Sequence, residues 1–157
     1  MSKIFKTASI ILLFLSSCAY NVHRAPYESV SIGRIENRTF EHGLEDRLNT
    51  LLAEELMRSG MKVDEKSPYR IEGAIERFDL KGIAQKGEVT VQYEVFIEAS
   101  FTLKSPEGER PLKTSTTFPV TFSSEGPLEE IIALKEEAGE RALRDMAQEI
   151  TAAILFR

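Results

Sequence analysis

Cysteine is nearly absent: Cys18 is the only one in 157 residues. A single cysteine cannot close a disulfide within the chain, so no staple of that kind supports the fold. Histidine is almost as scarce. Neither His23 nor His42 has a second histidine or a cysteine at ligand spacing, which argues against a zinc site. No Gly-rich phosphate loop and no nucleophile elbow occur. Carboxylate pairs such as Glu129-Glu130 and Glu136-Glu137 fall on expected helix surfaces and read as solvated faces. No catalytic constellation is present, and an enzyme is not expected. Internal repeats and low-complexity tracts are missing too. So is any excess of basic charge: 20 basic residues face 25 acidic ones. An acidic chain lacks the basic face that general nucleic-acid binding requires. It is equally unsuited to lying flat on anionic lipid.

What is present begins at the N-terminus, "TASIILLFLSSCAYNVHR". Lys3 and Lys6 precede an apolar run from Ala8 to Leu15, and Ser16 and Ser17 then lead into Cys18. Basic end, short apolar centre and small residues are the layout of a secretory signal. At about eight residues the run is too short to cross a bilayer of about 30 Å as a helix. A buried N-terminal helix with an inert core cysteine is the other reading. It is disfavoured because nothing polar interrupts the run to make it amphipathic. Residues 1–17 are therefore assigned to a signal peptide, 18–28 to a tether and 29–157 to one domain. Removing Lys3 and Lys6 leaves 18 basic residues against 25 acidic ones, a charge of −7. About 140 residues remain, enough for a single core.

Beyond the tether, hydropathy patterning predicts the order β-α-β-β-β-α. Val30 and Ile32 alternate in a short first strand. Leu44, Leu48, Leu51, Leu52 and Leu56 recur at helical spacing up to Ser59-Gly60, with Thr39 as the expected N-cap. A second strand runs from about Tyr69 to Leu80. Its apolar face switches sides near Arg77, which predicts a bulge there. "KGIAQKGE" (81–88) reads as a loop. From Val89 to Leu103 the odd positions are apolar and most even ones polar, the clearest strand in the chain. "SPEG" (105–108) is a turn. A fourth strand spans Leu112 to Phe122 with alternate residues inward, and Pro119 marks it as an edge. Pro127 opens a last helix, which Gly139 could divide in two. The predicted fold class is α+β: one domain, a mostly antiparallel four-stranded sheet, and two helices packed on one face. The first strand reaches the sheet through a helix and should lie parallel to its neighbour. The opposite sheet face would show Glu, Thr, Ser, Gln and Lys to solvent.

Two resemblances add to this reading. "LSSC" resembles the bacterial lipobox. That likeness implies cleavage before Cys18, with a diacylglycerol on its thiol and an acyl chain such as palmitate on its new amino group. Ala19, where inner-membrane lipoproteins usually carry Asp, points to the outer membrane. No other cofactor is implied. The ordered set "SCAYNVHR", "SVSIGRIENRTFEHGLEDRLNTLLAEELMRSG" and "ALKEEAGERALRDMAQEITAAIL" resembles the LptE family of lipopolysaccharide-assembly lipoproteins, over nearly all of the mature chain. The resemblance implies a non-catalytic plug inside an LptD-type outer-membrane β-barrel in a Gram-negative cell envelope. It also implies lipopolysaccharide binding through basic residues. "AQKGE" puts Lys86, or its neighbour Gln85, at the family's basic loop position. "IALKEEAGERAL" puts Lys135 at a family lysine, and Lys81 could add charge. The physical basis is the attraction of ammonium groups for lipid A phosphates. A different binding class also fits a lipobox and a small α/β domain: a periplasmic lipoprotein that regulates a cell-wall enzyme or serves as a transporter accessory subunit.

Overall fold

The computed structural model describes residues 27–112 and 117–156. Cys18, the signal segment, the tether as far as residue 26, and Lys113 to Thr116 lie outside the described residues, as do the side chains of Thr117 and Phe118. The elements are β1 (Ser29–Asn37), α1 (Leu44–Arg58), β2 (Lys62–Val63), β3 (Arg70–Lys86), β4 (Val89–Ser105), β5 (Gly108–Leu112), β6 (Thr117–Ser123) and α2 (Leu128–Leu155).

The sheet runs β2-β1-β3-β4, and β5 and β6 follow one another along the far edge of β4. Among the described residues it has six strands where four were expected, and it is mixed: β1 is parallel to β2 and β3, while β4 is antiparallel to β3, β5 and β6. Two physical facts account for the difference. Lys62 and Val63 form a strand too short to have a period. The expected fourth strand corresponds to two described strands: β5 ends with Leu112 opposite Phe101, and β6 begins with Thr117 opposite Glu98. The parallel placement of the first strand agrees with the sequence.

The β3–β4 hairpin is longer than the pattern implied. Residues 81–86, read as loop, continue β3, because register with β4 holds as far as Lys86 opposite Val89. The ladder shifts between Ile75 and Arg77, where the face switch placed a bulge, and again between Gly82 and Gln85. The first shift keeps Ile71, Ile75, Phe78 and Leu80 on one face although their spacing is uneven.

α1 buries Leu44, Leu48, Leu51, Leu52 and Leu56. Its N-cap is Gly43 in the left-handed region (φ 72°), not Thr39. The Thr39 hydroxyl instead accepts from the Glu41 amide at 3.1 Å, inside the β1–α1 loop. α2 is unbroken through Gly139, which is buried against Phe78; a Cβ there would stand 3.4 Å from the Phe78 ring. Small residues let the helix approach the sheet. Both helices share one core with Val30, Ile71, Ile75, Val95, Ile97, Ala99, Phe101 and Leu103, so they cover a single sheet face. Burial of such side chains contributes about 1.5–3 kcal/mol each. No helix among the described residues is long and apolar enough to cross a membrane.

Candidate functional site

The molecule has two unlike ends. The described chain starts at Tyr27 beside Tyr69, with ring centroids 4.2 Å apart. The C-terminal turn of α2 ends there too, where Arg110 donates to the Ala153 carbonyl at 3.1 Å. The hairpin tip and the start of α2 lie at the opposite end. Among the exposed large apolar side chains, Leu80, Ile83 and Val89 belong to the far part of the hairpin, and Leu128 and Ile132 to the first turns of α2. Lys86 closes the last position of β3 between them. Its ammonium lies 3.2 Å from Glu125, in the connection that leads into α2. That end carries a largely exposed cation, with Val89 opposite it across the hairpin and further exposed aliphatic side chains along β3 and the first turns of α2.

The three lysines expected to act together occupy three different places. Lys135 is largely covered; it pairs with Glu41 at 2.6 Å and lies over the Phe78 ring at 5.3 Å, on the helix side of the sheet. Lys81 lies over the Phe96 ring at 4.8 Å, on the opposite face, where Arg77 approaches the same ring at 5.3 Å. Lys86 is eight residues beyond Phe78, about 26 Å along an ideal strand and less across the bulges. Lys86 and Lys135 are paired with different carboxylates, Glu125 and Glu41. Each of those two also has a carboxylate beside it, which an anionic ligand must displace.

The uncovered face is the other candidate surface. Arg34, Glu36 and Arg38 of β1 and its end stand beside Glu72 and Glu76 of β3 and Ser100, Thr102 and Lys104 of β4. Arg38 bonds Glu36 at 3.0 Å and Glu76 at 2.9 Å; Lys104 bonds Glu72 at 2.6 Å. The bonds to Glu36 and then Glu76 raise the Arg38 guanidinium above its ordinary value, and the bond to Glu72 does the same for Lys104. Exposed pairs of this kind add little stability. Their consequence is geometric: they line a shallow polar surface cleft with both signs of charge. The sequence predicted that face. It did not single out Phe40, which is wholly exposed on the β1–α1 loop. Its isolation within a polar stretch, "NRTFEHG", is the signal that could have drawn attention to it. Among the described residues no group of three His, Cys, Asp or Glu is placed to hold a metal ion.

The model of the LptE lipopolysaccharide-assembly family matches residues 27–157. The chain belongs to that family. The match covers all of the domain and agrees with the resemblance drawn from the residues. The LptE-family fold is also seen in solved structures. A minor lipoprotein from Acinetobacter baumannii is similar at 15% identity, over 83% of this chain and 92% of that one, with a TM-score of 0.56. The rare lipoprotein B from Shewanella oneidensis is similar at 10% identity, over 76% and 89%, with a TM-score of 0.57. At these identities the likeness shows the fold. Comparison with the curated proteins gives no match. As an LptE-family member the chain falls in a non-catalytic class of lipopolysaccharide-assembly lipoproteins.

Proposed function

We propose that this LptE-family chain is exported, lipidated on Cys18 and held at the outer membrane, where it partners an LptD-type β-barrel and binds lipopolysaccharide at the end remote from its anchor. The observation that carries the reading is the amphipathic far end. Lys86 offers an ammonium to a phosphate, while Leu80, Ile83, Val89, Leu128 and Ile132 offer apolar area to acyl chains. The barrel reading is supported by the polar, charged sheet face. The lumen of a large barrel is polar, and a filler suited to it needs a polar exterior. The residues between Cys18 and β1, 19–28, span at most about 33–36 Å, which keeps the domain near the membrane.

The test separates the lysines. Lys86→Glu should lower lipopolysaccharide capture in a pull-down several-fold and leave the circular dichroism melt unchanged, because that pair is largely exposed. Lys135→Glu should lower the melting temperature by several degrees, since it turns a largely covered ion pair with Glu41 into two opposed carboxylates. Undiminished capture by Lys86→Glu would remove Lys86 from the account. Co-purification of a tagged chain from detergent-solubilised outer membrane tests the partner, and a large β-barrel is the expected companion.

A further inference from the structure

Among the described residues no strand lies beyond β6, which pairs with β4 on one side only. A bare strand edge is a template on which a further strand can add. The composition of β6 sharpens that hazard. Residues 114–124, "TSTTFPVTFSS", contain no Asp, Glu, Lys or Arg. Thr, Val and Phe favour strands, and uncharged β-prone segments of this length are the kind that stack chain on chain. Pro119 stands at the centre of the run and is the one residue in it with no amide hydrogen. Its position is outward. Register between β6 and β4 runs without a shift from Thr117 opposite Glu98 to Ser123 opposite Gln92, with Pro119 opposite Phe96. The next amide, that of Ser124, donates to the Val91 carbonyl at 3.2 Å. Backbone direction alternates along a strand. Phe122 and Val120 therefore turn their amides towards β4, while Ser123, Thr121 and the prolyl nitrogen of 119 face away. Pro119, Thr121 and Ser123 are all exposed. An open cleft of about 430 Å³ lies beside Pro119, walled by Asp145, Gln148 and Ala152 of α2, so an added strand has room. The neighbouring edge strand β5 carries Glu109 and Arg110 beside its own Pro111. In β6 no charge supports the proline.

We propose that Pro119 keeps this sheet from growing by strand addition, and that without it β6 becomes a docking edge for the β6 of a second copy of this chain. The second copy is the occupant because the edge complements itself. Two antiparallel strands related by a twofold axis exchange outward donors and acceptors through the same patch on both copies. No like charges face one another across that pairing. A proline in the outward row between Thr117 and Thr121 removes one donor and sets its ring where the incoming strand must approach. The guard acts whether or not a barrel is the partner, since only this chain's own edge is involved. Contacts made at this edge of the folded domain therefore use side chains and not backbone pairing.

The experiment uses the full chain in detergent micelles, with mass from light scattering and amide exchange read residue by residue. Wild type should hold one chain per micelle, and its Thr121 and Ser123 amides should exchange about tenfold or more faster than those of Val120 and Phe122. Pro119→Val should associate at high concentration and slow exchange at Thr121 and Ser123. Pro119→Lys regains the same amide but adds a charge to the edge, and it should remain one chain per micelle. Three results overturn the proposal. One is a Pro119→Val variant that stays single, or that associates without slowing those two amides. Another is equal association by Pro119→Val and Pro119→Lys, which reports damage to the fold instead of strand pairing. The third is slow exchange at Thr121 and Ser123 in single wild-type chains, which means that the edge is already covered.

Discussion

Gly73→Ala should destabilise this protein severely, although it adds only one methyl group. A Cβ built at Gly73 would lie 2.2 Å from Cδ1 of Phe101 and 2.4 Å from the carbonyl oxygen of Ser100. Neither neighbour can give way cheaply. Phe101 is 3% exposed in the core, and Ser100 contributes backbone of β4, directly opposite Ala74 of β3. Overpacking of this kind typically costs about 1–3 kcal/mol and occasionally more. The clash with backbone places Gly73→Ala at the high end, about 3 kcal/mol. In a domain of this size that lowers the melting temperature by about 10 °C. Thermal unfolding followed by circular dichroism measures it. A melt indistinguishable from wild type would mean that β3 and β4 separate more easily than their pairing implies. Gly139→Ala is the internal control. Its Cβ would stand 3.4 Å from Phe78, an ordinary contact, and alanine favours the helix by about 1 kcal/mol.

Cys18→Ala carries the largest expected functional effect. Each buried methylene of an acyl chain contributes about 0.8 kcal/mol of membrane attachment, and two or more chains make attachment stable where one does not. Nothing else described in the chain replaces them. The chain is acidic, and no described helix is long and apolar enough to span. The variant should leave the membrane fraction and retain an uncleaved signal segment. Fractionation and intact-mass measurement read both. Wild-type material with a free Cys18 thiol and an intact Met1 terminus would sink the lipoprotein reading.

The elements that periodicity carried through were those whose register needs no partner. The leucine face of α1 is one: Leu44 to Leu56 bury as spaced. The alternation of β4 is another, since Val95 to Leu103 turn inward at every second residue. Even the bulge near Arg77 was legible, because Ile75 and Phe78 cannot share a face without it. β2 was not legible. Two residues have no period, and Lys62 and Val63 are strand only because β1 lies alongside. That β5 and β6 pair with β4 in different registers was hidden for a related reason: Leu112 to Phe122 look like one alternating run, and only the pairing with β4 shows that Leu112 meets Phe101 while Thr117 meets Glu98.

The lysines show the same boundary from the side of function. Basic residues near "AQKGE" and "IALKEEAGERAL" could be named from a resemblance. Their surroundings could not. Glu41 meets Lys135 from 94 positions away, and Lys81 faces away from Lys135 because strand parity, reset at one bulge, decides which face each β3 residue joins. Charge and class of fold were thus readable in one dimension, because each depends on composition or on local spacing, and the family was readable from resemblance. Which cations stand together, which carboxylates neutralise them and which aromatic is left wholly in water depended on packing. Those are contacts between distant parts of the chain, and register and helix approach settle them only when the core closes.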